Sequence, residues 1–75
     1  MLETGGITPF KRVVRHRTTK QYYAGEGKWT PRLQEARDFH QLLPILDEVR
    51  KHDLKGCCDL ILKFSCEEYD ISIPL

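Results

Sequence analysis

The chain has 75 residues, of which 40% are apolar and 31% are charged, with a formal net charge of +1. This length allows one domain with a small core, which argues against a large internal ligand cavity. No stretch resembles a signal peptide or reaches the roughly 20 apolar residues of a membrane span, and an odd number of cysteines does not fit a disulfide scaffold. We therefore expect a folded cytoplasmic protein with reduced thiols.

Charge is unevenly distributed along the chain. Residues 1–32 hold seven basic and two acidic side chains, a net charge of +5, whereas residues 33–75 hold five basic and nine acidic side chains, a net charge of −4. Opposite charge on the two halves favours contacts between them, either within one molecule or between copies.

The first nine residues are polar, contain Gly5 and Gly6, and end in Pro9. This composition predicts a flexible arm, residues 1–9, followed by a single domain over residues 10–75.

A basic hairpin is predicted next. Residues 10–17, with Val13 and Val14 at their centre, indicate a strand, and Thr18 and Thr19 a turn. A second strand is expected over residues 20–24. The pattern leaves open which face of this hairpin is buried.

A broken helix is predicted after the glycine-rich break at residues 25–27. Thr30 followed by Pro31 is a typical helix start, and the apolar residues that follow have a spacing of mostly three. That spacing drifts from the helical period, and Pro44 would disrupt a helix interior. Two pieces, residues 31–39 and 41–52, remove both problems, because Pro44 then falls in a first turn. Gly56 suits a left-handed residue after the second piece.

The C-terminal third predicts a hairpin from its strict alternation. A register pairing Leu62 with Ile71 places all apolar residues of both strands on one face, expected to be buried, and sets Lys63 opposite Asp70. Residues 65–68 form the turn. The apolar set comprises Cys58, Leu60, Leu62, Phe64, Tyr69, Ile71, Ile73 and Leu75.

The predicted fold is α+β. Its order is strand, strand, broken helix, strand, strand, which gives a four-stranded, mostly antiparallel sheet with the helix packed on one face. Pro74 indicates that the last strand lies at an edge or has ended by that point.

One candidate site is the basic N-terminal hairpin. A basic patch can neutralise phosphates, and exposed aromatic rings such as Tyr22, Tyr23 or Trp29 can stack on unpaired bases. The alternative is a solvated strand face whose charges pair with the acidic half, with the rings in the core. The candidate nucleic-acid contacts are Lys11, Arg15, Arg17, Lys20, Tyr22 and Lys28.

No metal, cofactor or catalytic site is predicted. The three cysteines and three histidines lack the spacing of a zinc site, and adjacent Cys57 and Cys58 are expected on opposite faces of a strand. Glu67, Glu68 and Asp70 form an acidic group expected to be solvated. We therefore predict a protein without enzymatic activity.

Binding to another protein chain, or to a second copy, is the function predicted first. An unprotected sheet edge or face can pair with another chain. Nucleic-acid binding through the basic hairpin is the alternative. No membrane or small-molecule ligand is expected.

Overall fold

The computed structural model describes residues 9–75, apart from the side chain of Leu42. The predicted arm, residues 1–9, lies outside the described residues except for Pro9. The described part holds one α-helix and five strands: β1 (Lys11–His16), β2 (Tyr22–Gly25), β3 (Lys28–Thr30), α1 (Leu42–Lys51), β4 (Cys58–Lys63) and β5 (Ile71–Pro74). Two short 3₁₀ turns, Leu33–Glu35 and Glu67–Tyr69, complete it.

The strands form one open sheet in the order β3-β2-β1-β4-β5, and every neighbouring pair is antiparallel. The α+β class is therefore confirmed, but the described sheet has five strands rather than four. The prediction missed β3. Gly25 and Gly27 both have positive φ, which glycine adopts without a Cβ penalty, and this turn sends the chain back as a third strand.

Both faces of the sheet are covered at its centre. Val13 and Val14 are each fully buried, on opposite faces. We call the side of Val14 the helix face, because its cluster includes Tyr23, Leu60 and Ile45 of α1. The side of Val13 is the turn face, where Leu33 of the first 3₁₀ turn packs, together with Ala36, Ile61 and Tyr22.

The chain reaches both faces by passing between β1 and β2. The Arg37 N–H donates to the Tyr23 carbonyl (2.9 Å), and the Phe39 N–H donates to the Arg12 carbonyl (2.8 Å). The Arg12 N–H in turn donates to Asp38 Oδ1 at 3.1 Å. Ala36 belongs to the turn-face cluster and Phe39 to the helix-face cluster, so residues 37–39 form a crossing segment through the sheet.

The first predicted helical piece is wrong. Residues 31–39 contain the 3₁₀ turn Leu33–Glu35 followed by the extended crossing segment. Thr30 ends β3, and its hydroxyl accepts from the Arg32 N–H (3.2 Å) and donates to Glu35 (2.7 Å). The hydroxyl therefore organises a turn rather than a helix start.

The second helical piece is confirmed as α1, with Pro44 in its first turn. Arg50 and Lys51 occupy the last turn, where positive charge complements the helix dipole. The helix ends at Lys51, earlier than expected, and Asp53 takes a left-handed conformation before Gly56 takes another.

The register of the C-terminal hairpin is confirmed. Leu62 pairs with Ile71, Leu60 pairs with Ile73, and Lys63 binds Asp70. Its expected burial is wrong for β5, because all four residues of this edge strand are exposed.

No helix in residues 9–75 is long and apolar enough to cross a membrane.

Candidate binding surfaces

Two of the predicted nucleic-acid contacts are engaged within the protein. Lys11 Nζ donates to the Leu33 carbonyl at 2.7 Å and so fastens the first 3₁₀ turn to the turn face. The Arg17 guanidinium binds Asp59 at 2.7 Å and also donates to the carbonyls of Gly56 and Cys58. Binding phosphate would require both side chains to give up these partners.

The other four predicted contacts do not form one patch. Arg15 and Tyr22 are cross-strand partners on the turn face, and both are half-buried. Lys20 lies in the turn before β2, whereas Lys28 begins β3 at the opposite end of β2. Within residues 9–75, Arg15 has no hydrogen bond or ion pair through its side chain. Arg15 and Tyr22 are therefore the two predicted contacts that the structure brings together.

The aromatic rings pack against each other rather than facing outward. Tyr23 is fully buried, and half-buried Trp29 meets it edge-on at 5.4 Å between ring centroids. The His16 ring also meets Trp29 edge-on, with 5.5 Å between the ring centroids. This packing leaves half-buried Tyr22, the cross-strand partner of Arg15, outside the aromatic cluster.

A buried polar network joins the hairpin to α1. The Tyr23 hydroxyl donates to Glu48 Oε1 (2.9 Å) and accepts from the Gly27 N–H (2.9 Å). Arg37 also donates to Glu48 Oε1 (3.0 Å), while His52 lies 4.0 Å from Oε2. Burial, aided by the bond to Glu48, raises the pKa of Tyr23, so its hydroxyl remains a proton donor.

This network is satisfied internally and has no space for a substrate. The described residues enclose no pocket. Arg37 also covers the face of the Phe39 ring, with Cζ 4.8 Å from the ring centroid. The network therefore holds the β2–β3 turn, the crossing segment and α1 together.

Four large apolar side chains on α1 and β5 are exposed, and we call them together the exposed apolar surface. They are Leu43, Leu46, Ile71 and Ile73, with exposed fractions of 71%, 46%, 47% and 41%. Ile71 and Ile73 share the helix face with their partners Leu62 and Leu60.

The orientation of α1 brings the two parts of this surface to the same side of the sheet. Around the helix, Glu48 and Leu46 lie on opposite flanks of buried Ile45. The Glu48 flank contacts Tyr23 of β2, so the Leu46 flank is turned away from β2. In the strand order, β4 and β5 lie on that side.

The free edge of β5 is poor in hydrogen-bond donors. The Leu75 N–H donates to the Cys58 carbonyl of β4. Because backbone groups alternate in direction along an antiparallel strand, Ser72 and Pro74 direct theirs outward. Pro74 has no N–H, so Ser72 is the one residue of β5 that can donate to an added strand.

The two adjacent thiols lie together, contrary to the prediction of opposite faces. Cys57 Sγ is 3.5 Å from Cys58 Sγ and 3.3 Å from the Leu54 carbonyl that accepts its proton. Cys57 precedes β4, so strand alternation does not apply to it. Within residues 9–75, no group of three or more histidine, cysteine, aspartate or glutamate side chains could hold a metal ion.

No protein-family model, curated protein or solved structure matches this chain. Sequence reasoning missed the Glu48 network and the exposed apolar surface, although Leu43 and Leu46 stand out as large apolar residues in a short amphipathic helix.

Proposed function

We propose that the protein is a small non-enzymatic binding module that self-associates through the exposed apolar surface. The observation that supports this most is the exposure of Ile71 and Ile73 on an edge strand whose sheet neighbour, β4, has three buried residues and none that is exposed. Contiguous exposed apolar side chains on a small domain are typical of interaction sites.

Contact through the face explains the arrangement better than strand addition. Two β5 strands paired about a two-fold axis would join through Ser72, while each Pro74 would lack its donor. Ile71 and Ile73 project from the helix face instead, on the side of the sheet toward which Leu46 is turned, where a second apolar surface can cover them.

The charges beside this surface favour a second copy as the occupant. Arg50, whose exposed ion pair with Asp47 spans 3.5 Å, follows Leu46 by one helical turn, whereas Glu67 and Glu68 precede β5. A two-fold contact that sets α1 of one copy against β5 of the other brings these opposite charges together. Such an isologous contact is the commonest form of self-association.

The test compares two substitutions on the same strand. Sedimentation equilibrium of the wild type should show a dimer whose fraction rises with concentration. Ile73→Lys places a charge in the contact and should weaken dimerisation at least about tenfold, or roughly 1.4 kcal/mol. Ser72→Lys, on the opposite face of β5, should leave it unchanged.

A monomer at all concentrations would refute self-association. Equal weakening by Ile73→Lys and Ser72→Lys would instead place the contact at the strand edge. In either case, circular dichroism must show that both variants retain the fold.

Nucleic-acid binding through Arg15 and its neighbour Tyr22 is the competing proposal. It is supported by the absence of a side-chain partner for Arg15 within residues 9–75, and weakened by the engagement of Lys11 and Arg17. Titration into labelled single- and double-stranded oligonucleotides at about 50 mM salt tests it, because phosphate contacts are strong there. Binding that Arg15→Ala abolishes would support it, and no binding would exclude it.

A further inference from the structure

The thiols of Cys57 and Cys58 form a pair whose two sulfur atoms can reach one ligand. Gly56, with φ +84°, turns the chain just before them, and Cys57 remains outside the strand that Cys58 begins. Both side chains consequently lie near the helix-face cluster, with the two sulfur atoms 3.5 Å apart.

We propose that the Cys57–Cys58 pair is a dithiol binding site for trivalent arsenicals. The separation of the sulfur atoms is the first argument. A disulfide requires about 2.05 Å. Trivalent arsenic is pyramidal, and two sulfur atoms bound to it at about 2.3 Å with an angle of roughly 95° between the bonds lie roughly 3.4 Å apart, close to the 3.5 Å observed.

The number of ligands is the second argument. Structural zinc takes four protein ligands, and residues 9–75 hold no group of even three suitable side chains. A trivalent arsenical that carries one organic group forms two bonds to sulfur and needs no third protein ligand. Soft thiolate sulfur is also the ligand type that thiophilic elements prefer.

The chemistry requires no oxidant. In water, phenylarsine oxide carries two hydroxyl groups on arsenic. Each thiol replaces one hydroxyl, so two arsenic–sulfur bonds form and two arsenic–oxygen bonds break. The two thiol protons leave with the hydroxyls as two water molecules, and arsenic stays trivalent throughout.

The different burial of the two thiols sets the order of the steps. Cys57 is half-buried and reacts first, losing its hydrogen bond to the Leu54 carbonyl. Cys58 is fully buried, and this burial, with the neighbouring Cys57, raises its pKa to about 12. Cys58 therefore reacts poorly with outside reagents, but arsenic already held on Cys57 lies within its reach.

Mass spectrometry of the folded protein with phenylarsine oxide tests the site. The wild type should gain one phenylarsenic group with loss of two protons from the protein. An excess dithiol should remove the group, whereas the same concentration of a monothiol should not. Cys57→Ser should lose this monothiol-resistant adduct, while Cys66→Ser, which alters the half-buried cysteine of the β4–β5 turn, should keep it.

Two outcomes would overturn the proposal. One is an adduct that persists in Cys57→Ser with unchanged resistance to monothiol. The other is an adduct that forms on the wild type only after unfolding, as judged by circular dichroism of the same sample. Because Cys57 packs against the core cluster without belonging to it, its serine variant should fold. Cys58→Ala removes the other thiol and should likewise lose the monothiol-resistant adduct.

Discussion

The two ends of the sheet differ in how fully the chain covers them. Toward the β3 end, Tyr23 of β2 is fully buried, and its hydroxyl is satisfied by Glu48 and Gly27. At the β5 end, all four strand residues are exposed, including Ile71 and Ile73. Among the described residues, the exposed large apolar side chains are concentrated in the acidic half, and Phe10 is the exception in the basic half.

The crossing segment explains much of this difference. After β3, the turn Leu33–Glu35 packs on the turn face of the sheet. The chain then passes between β1 and β2, so that Phe39 and α1 pack on the helix face. The buried strand residues of both clusters belong to β1, β2 and β4. β5 adds its hydrogen bonds to β4 without receiving a comparable cover.

The sharpest test of the comparison uses the cross-strand pair Leu60 and Ile73. Both side chains lie on the helix face, but Leu60 is 6% exposed and Ile73 is 41% exposed. Leu60→Ala should lower the free energy of unfolding by about 2–4 kcal/mol, because it leaves a cavity in the core. Ile73→Ala should cost about 1 kcal/mol or less.

Urea unfolding at a concentration where each variant is monomeric gives both values. An equal loss of unfolding free energy in the two variants would mean that β5 is packed as firmly as β4. The two ends of the sheet would then not differ in how well they are covered.

The Glu48 network should give the next largest effect. Glu48→Ala leaves the buried Tyr23 hydroxyl without its acceptor and Arg37 without its ion partner. We expect a loss of about 2–3 kcal/mol in unfolding free energy. The matched control is Asp47→Ala on the same helix, whose ion pair with Arg50 is exposed to solvent and has an N–O distance of 3.5 Å.

The control should change unfolding free energy by no more than about 0.5 kcal/mol. A similar loss in both variants would show that the helix, rather than the buried carboxylate, is responsible.

The sequence predicts the β4–β5 register well because both strands alternate between apolar and polar residues. Shifting Leu62 by one residue would set it beside Asp70, so one register is clearly favoured. The same alternation does not show whether another part of the chain covers the apolar face of β5. Ile71 and Ile73 therefore have the alternation of a buried strand although they are exposed.

The crossing segment could not be found from apolar spacing. Leu33, Ala36 and Phe39 are three residues apart, which resembles a helix face, yet Phe39 packs on the other face of the sheet from Leu33 and Ala36. A three-residue spacing fits either a helix or a segment that crosses the sheet. Which of the two forms depends on whether β1 and β2 separate enough in the folded protein to let the chain pass between them.

The candidate sites were harder to predict than the fold. Glu48 is a charged helix residue, for which solvent exposure is the ordinary expectation, and its burial depends on Tyr23 from a distant strand. The proximity of the Cys57 and Cys58 thiols depends on where β4 begins, and a boundary error of one residue reverses that conclusion.

The smallest expected effect concerns a polar contact at the exposed end of the sheet. Lys63 binds Asp70, which also accepts from the Phe64 N–H at 2.9 Å. The hydrogen bond from Lys63, followed by that from Phe64, lowers the pKa of Asp70, while the same ion pair raises the pKa of Lys63. This contact fixes the start of the β4–β5 connection.

The pH dependence follows from these directions. Because the folded pKa of Asp70 lies below its unfolded value, its contribution is present above about pH 4 and is lost as pH falls through the folded pKa. Because the folded pKa of Lys63 is raised, its contribution is complete below its unfolded pKa and is lost as pH rises through the folded one. The stability difference between wild type and Asp70→Asn should therefore be constant near neutral pH and shrink toward both extremes. Urea midpoints measured across pH test this, and a difference that persists unchanged in strong acid would show that the carboxylate charge plays no part.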